Sequence, residues 1–233
     1  MTTHQPTIQC FEAPEQIAQF FWEEVNAFQQ SATAPSPQLQ LIWPGGSTAE
    51  LLLKEHPHAE ELSRINSWLL DERCVPLSDP ESNARQLLQC SPSMKLHHYQ
   101  FNQEVKNEDA WQQARAYAAH YRAEAERQFT WGIIGVGPDG HIASLFPGHS
   151  LESEDLIIYT PRSPKPPPQR VSFSLNAIAN FSRLTIITLG SSKADAIAAA
   201  LERDVSSPLG RLLQLRPDSE LLLDTEASAK LKD

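Results

Sequence analysis

Short apolar runs alternate with amphipathic stretches along most of this chain. The runs at 7–11, 39–43, 65–70, 129–136, 156–159, 184–189 and 220–223 have the length and composition of buried strands. Between them, residues 14–30 carry Ile17, Phe20, Phe21, Val25 and Phe28 at helical spacing, opened by Pro14 where its missing N–H does no harm. Residues 110–129 place Trp111, Ala114, Tyr117, Ala118 and Tyr121 on one helical face. Residues 191–203 read as an Ala-rich helix started by Ser191, Ser82-Asn83 as the cap of a helix over 84–90, and Asp224 as the cap of a last helix to 231. Strands alternating with helices predict an α/β fold, with a parallel sheet covered on both faces, in one domain over 1–233.

Composition narrows the function. A chain of 233 residues, 40% hydrophobic and 21% charged, is long enough to bury a core. Its net charge of −10 argues against nucleic acid, which needs a basic face, but permits a small anion held by a local cluster of donors. Cys10, Cys74 and Cys90 lack C-x-x-C spacing, so a reducing compartment without disulfides is expected. No apolar run reaches the roughly 18 residues of a membrane span, and no basic-then-apolar leader opens the chain. A cytoplasmic protein is the expectation.

Four constellations carry candidate chemistry. In the first, the strand at 39–43 ends in Pro44-Gly45-Gly46-Ser47-Thr48, where a helix begins. Free N–H groups at a helix start, the helix dipole and two hydroxyls make an anion cradle. The Lys of a Walker loop is missing, and a plain serine-capped turn is the simpler alternative. In the second, Asp71-Glu72-Arg73 follows another strand. Arg73 is suited to hold a phosphate or a developing oxyanion, against the alternative of a surface salt bridge among the three. In the third, the run to Val136 stops at Gly137-Pro138-Asp139-Gly140-His141. The spacing Gly135-Val-Gly137-Pro-Asp-Gly140 mimics a dinucleotide motif, but Pro138 removes an N–H and no acidic residue stands at the end of the next strand. His141 is expected at a helix start, where the dipole favours the neutral, base-competent imidazole, and Asp139 orients it or binds substrate. In the fourth, five prolines between Pro161 and Pro168 force an extended path that carries Lys165 and leads to Arg170, two cations able to clamp a phosphate or carbonyl. The other histidines lack metal-site spacing.

In this order the motifs resemble the 6-phosphogluconolactonase family: Gly-Gly-Ser-Thr-Ala at 45–49, Asp-Glu-Arg-x-Val-Pro at 71–76 with Ser82-Asn83, Gly-x-Gly-x-Asp-Gly-His-x-Ala-Ser-Leu-Phe-Pro-Gly at 135–148, Pro-Lys-Pro-Pro-x-x-Arg at 164–170, and Gly190-x-x-Lys193-Ala. The resemblance covers nearly the whole chain. It implies a three-layer α/β/α sandwich with a mostly parallel, Rossmann-like sheet. It also implies hydrolysis of a phosphosugar lactone without metal or organic cofactor, by a monomer or weak homodimer. His141 becomes the base that activates water, with Asp139 beside it, and Arg73 stabilises the oxyanion or the substrate. Gly45, Gly46, Ser47 and Thr48 cradle the phosphate, helped by Lys165 and Arg170. No G-x-S-x-G elbow supports a serine nucleophile.

Two rival functions stand beside this one. The related glucosamine-6-phosphate deaminase/isomerase family shares Gly-Gly-Ser and Asp-Gly-His, but its motif runs Asp-Gly-His-Ile-Ala-Phe-Asn-Glu-Pro. Phe146 stands here at the place of that glutamate and cannot relay a proton. A non-catalytic sugar-phosphate sensor needs only the anion cradle, and has no use for both Asp139 and His141.

Overall fold

A computed structural model describes residues 5–31, 38–54, 61–102 and 105–232. In chain order its elements are β1 (Thr7–Phe11), α1 (Pro14–Ser31), β2 (Leu39–Trp43), α2 (Gly46–Lys54), β3 (Asn66–Leu69), β4 (Asp71–Arg73), α3 (Asn83–Cys90), β5 (Lys95–His97) and α4 (Asn107–Glu124). They continue with β6 (Phe129–Gly135), β7 (Ile157–Thr160), β8 (Arg170–Phe173), α5 (Leu175–Ala179), β9 (Arg183–Thr188), α6 (Ala194–Leu201), α7 (Pro208–Leu215) and β10 (Glu220–Asp224).

Seven strands form one parallel sheet in the order β1-β10-β9-β6-β2-β3-β5, flanked by helices. This is the expected α/β layering. Central strands read as continuous apolar runs because both their faces are covered: β2 is buried at every position. Its core holds Trp43, Trp68 and Trp131, fully buried because each indole N–H finds an acceptor. Trp68 Nε1 donates to Gln40 Oε1 at 2.9 Å and Trp131 Nε1 to Thr185 Oγ1 at 2.9 Å.

A second sheet, β4-β8-β7, is small and antiparallel. Leu70 joins the two sheets. Its N–H donates to Trp43 O at 2.7 Å, and its carbonyl accepts from Phe173 N at 3.0 Å. Parallel strands end on the same side, so the loops after β2, β3 and β6 gather at one edge with β4 and β8 beside them.

Four expectations need correction. The helix expected over 110–129 runs from Asn107 to Glu124 and buries Ala110, while Trp111 is 39% exposed. The helix expected from Ser191 opens with a 3-10 turn, Ser191–Lys193, and becomes α-helical only at Ala194. The helix expected after Asp224 is a series of turns. Asp224 does accept from Ala227 N at 2.7 Å, but its carboxylate is shared with the Gly190 N–H at 2.9 Å, which ties it to the loop after β9. The five-proline segment is not extended. It folds back on itself, with Ser163 N donating to Pro168 O at 2.8 Å and Ser163 Oγ to Lys165 O at 2.7 Å. Prolines carry no N–H, so the segment's carbonyls have few backbone donors of their own and turn inward to other partners.

Candidate active site

The loop after β2 is shaped by α3. A side chain at Gly45 would put its Cβ 2.0 Å from Asn83 Oδ1, and Gly46 sits at φ +74, which favours glycine. Gly46 N donates to Gln86 Oε1 at 2.7 Å, and Gln86 Nε2 donates back to Gly46 O at 3.2 Å. The Gly46 N–H is therefore already paired, and the backbone at Ser47 and Thr48 remains for an anion. Thr48 is buried against Gly135, and Ser47 is exposed.

Asp71, Glu72 and Arg73 do not form a surface salt bridge. Each takes its own partner. Glu72 is buried and accepts from Arg73 N, Asn83 N, Ala84 N and Ser82 Oγ at 2.7 to 3.0 Å, so it anchors the start of α3. Burial pushes its carboxyl up to about 7, against these hydrogen bonds, which favour the anion. Ser82 caps α3 as expected, accepting from Arg85 N at 3.2 Å. Asp71 is buried too and accepts from Ser144 Oγ at 2.6 Å. Arg73 Nη1 donates to Glu81 O at 2.5 Å, while its buried Nε has no acceptor among the described residues.

In the small sheet, Arg73 pairs in register with Arg170. Like charges directly opposite are unfavourable. Burial lowers the Arg170 pKa from its usual value; the Asp71 charge opposes this and the Arg73 charge adds to it. The folded proline segment holds Arg170: its Nε donates to Pro167 O at 3.0 Å and its Nη2 to Pro166 O at 2.9 Å.

No helix follows His141, so no helix dipole acts on it. Ile142 and Leu145 exchange backbone hydrogen bonds in a tight turn, Ala143 takes φ 49, and Pro147 disfavours helical backbone just beyond. Gly137 N donates to His141 O at 2.9 Å, closing the loop. A Cβ at Gly137 would lie 1.8 Å from His141 Cε1, so this glycine makes room for the imidazole. His141 Nδ1 is paired with the Asp139 carboxylate. Burial raises the Asp139 pKa, but the His141 hydrogen bond and charge, with Lys165, outweigh it and hold the carboxyl below its usual range. Lys165 Nζ lies 3.1 Å from His141 Nδ1 and 3.5 Å from Asp139 Oδ1. No described residue hydrogen-bonds His141 Nε2.

A cavity of about 200 Å³ brings together Gly45, Gly46, Ser47, Thr48, Arg73, His141 and Arg170. Asp139 and Lys165 stand behind His141 rather than in the wall. Two larger grooves, of about 640 and 820 Å³, contain none of these residues. Asp71 and Asn83 also line the cavity, and Gln86 braces it. Asp71 and Asn83 lie inside the quoted motifs but are read there only as a salt-bridge partner and a helix cap, not as lining the site, and no local signal marks Gln86. Among the described residues, no group of three His, Cys, Asp or Glu side chains is placed to hold a metal ion.

Comparison with known proteins matches residues 12–220 to the family described as glucosamine-6-phosphate isomerases/6-phosphogluconolactonase. The chain belongs to this isomerase/lactonase family. It is 32% identical over 225 residues to the 6-phosphogluconolactonase of Mycobacterium tuberculosis, covering 89% of this chain and 90% of that protein. It is 30% identical over 206 residues to a chloroplastic 6-phosphogluconolactonase of Arabidopsis thaliana, covering 80% of this chain but only 63% of the longer plant protein. The solved 6-phosphogluconolactonase of Trypanosoma cruzi superposes with TM-score 0.83 at 22% identity, over 100% of this chain and 99% of that one, a likeness of fold. The isomerase/lactonase family holds two chemistries on one scaffold, so the site must choose between them. Phe146 is buried at 1% exposure, with its ring centroid 4.9 Å from that of His141. An apolar ring thus lies against the candidate base at the place where the isomerase motif reads glutamate.

Proposed function

We propose that this protein hydrolyses 6-phospho-D-glucono-1,5-lactone to 6-phospho-D-gluconate, the second step of the oxidative pentose phosphate pathway. The observation that carries the reading is the imidazole of His141. It is paired with Asp139 at Nδ1, its Nε2 has no hydrogen-bond partner among the described residues, and it stands in one cavity wall with Arg73 and Arg170.

With Nδ1–H donated to Asp139, Nε2 takes a proton from water, whose oxygen attacks C1 of the lactone. The carbonyl oxygen becomes an oxyanion, which the guanidinium of Arg73 in the cavity wall stabilises. Collapse breaks the bond between C1 and the ring oxygen, and the imidazolium returns its proton to that oxygen. A lactone is an activated ester, so no covalent nucleophile is needed. Ser47, Thr48 and Arg170 hold the phosphate, with Gly45 and Gly46 shaping the loop. Lys165 keeps Asp139 and the imidazole in place rather than clamping the phosphate directly. We place the enzyme in the cytoplasm; none of its helices, among the described residues, is long and apolar enough to cross a membrane.

Acid release from freshly generated lactone, followed against spontaneous hydrolysis, tests the reading. The wild type is expected to accelerate it, and His141→Ala to lower turnover by about 10² or more. Equal turnover in both proteins would remove His141 from the mechanism. Ammonia release from glucosamine 6-phosphate would favour the isomerase chemistry instead.

A further inference from the structure

The imidazole of His141 is restrained in its own plane at Nδ1, where Asp139 and Lys165 both lie. A hydrogen bond at one ring atom leaves the ring able to rock about that contact. A second restraint comes from Phe146. The two rings stack with centroids 4.9 Å apart and planes 27° apart. The same phenyl ring lies under the Arg170 guanidinium, whose carbon is 5.8 Å from its centroid. His149, on the turn just beyond, also meets the ring, at 6.1 Å between centroids. Phe146 thus touches the candidate base, which follows β6 of the parallel sheet, and a candidate phosphate ligand on β8 of the small sheet.

The face of an aromatic ring is negative and attracts cations. Arg170 is such a cation at all times. His141 becomes one for as long as it carries the proton taken from water. A ring stacked on the imidazole therefore holds its angle in the resting state and is attracted more strongly during proton transfer. A glutamate at this position would offer a carboxylate; the phenyl ring offers a flat surface and no competing acceptor for the water's proton.

We infer that Phe146 is a positioning residue for the hydrolysis: it sets the angle at which His141 Nε2 meets the attacking water and couples that angle to Arg170. The inference rests on the lactonase reading in its kinetic part, and on geometry alone in its spectroscopic part.

The test compares Phe146→Leu, Phe146→Met and Phe146→Tyr, each shown to be folded by thermal unfolding. In the Leu and Met variants kcat for the lactone is expected to fall about tenfold, with KM changed less than about threefold, because the base is misaimed rather than the substrate lost. Phe146→Tyr, which keeps the ring face, is expected to recover most of the loss. In the free protein the His141 Cε1 proton, assigned by its absence in His141→Gln, is expected to shift in its NMR resonance when the ring is removed and to stay near its wild-type position in the Tyr variant. A folded Phe146→Leu protein with unaltered kcat, a Tyr variant as slow as the Leu variant, or an unmoved resonance would each overturn the inference. A wild type that shows the ring-dependent resonance but does not hydrolyse the lactone would instead overturn the lactonase reading, and with it the role given to the stack.

Discussion

The two sheets reach the candidate site by different means. The parallel sheet brings backbone: β2 and β6 run into glycine-containing loops, and each critical glycine is there to make room, Gly45 for the Asn83 amide and Gly137 for the His141 ring. The small antiparallel sheet brings side chains. Pairing β4 with β8 sets Arg73 opposite Arg170, with Asp71 and Glu72 held on the same strand. A like-charged cross-strand pair is a feature that sheets ordinarily avoid, and it sits in the cavity wall. The parallel sheet is thus a scaffold that would be stable without a ligand, and the small sheet concentrates positive charge that an anionic ligand relieves.

On that contrast, the largest effects follow from the arginines. Arg170→Ala removes a buried guanidinium together with the hydrogen bonds it donates to the Pro166 and Pro167 carbonyls. Its kcat/KM for the lactone is expected to fall by about 10² to 10³. Arg73→Ala is expected to lower kcat by about 10², the effect of losing one oxyanion donor. A rise in KM with kcat intact would make Arg73 a phosphate ligand instead. Steady-state kinetics on the two variants separate these outcomes. Changes below about threefold in both would break the contrast, since the small sheet would then be a structural appendage.

The glycines give a smaller effect and divide the loop into two kinds of position. Gly45→Ala drives a Cβ into the Asn83 amide and is expected to cost about 1–3 kcal/mol in stability. Gly46→Ala meets nothing within 4 Å but must keep φ +74, at a cost of about 1–2 kcal/mol. Urea unfolding of both variants, with the slope checked, measures the difference. A Gly45→Ala protein as stable as the wild type would mean that Asn83 turns aside and that α3 does not shape the loop.

The same contrast explains what could be read from the chain. The parallel sheet is written in local patterns, so β2, β6, β9 and β10 were located within a residue or two, as were the glycine turns. β4 and β8 were not. Asp71-Glu72-Arg73 has no apolar run, and its strand exists only because Arg170–Phe173 pairs with it almost 100 residues further on. Their arginines were legible as residue types at motif positions; that they face each other was not. The dipole expected at His141 failed because the mostly apolar residues 142–146 before Pro147 look like a helix start and fold instead as a turn. Gln86 was invisible for a related reason: its hydrogen bonds cross 40 residues to Gly46.

The smallest effect comes from a third region, at the far edge of the parallel sheet, and it sharpens the contrast by its sign. His97 stacks on Trp68 with centroids 4.0 Å apart, and its Nδ1 lies 2.9 Å from His120 Nε2. Burial lowers its pKa to about 4, helped by the His120 and Lys95 charges. A histidine whose pKa is depressed by folding binds its proton more weakly folded than unfolded, so the stability it contributes is present above about 6.5 and is lost as pH falls toward 4. Glu72, under the active site, has the opposite sign. Its pKa is raised from 4.5 to about 7, so its contribution is present below 4.5 and is lost as pH rises through 7. Between these limits the two oppose each other, and a plain stability profile hides both. His97→Phe keeps the ring against Trp68 and removes the titration. The difference in unfolding free energy between wild type and His97→Phe is therefore expected to shift against the wild type as the pH is lowered from 6.5 to 4, and to level off above 6.5. A difference that stays flat across that range would show that protonation of His97 is not coupled to folding.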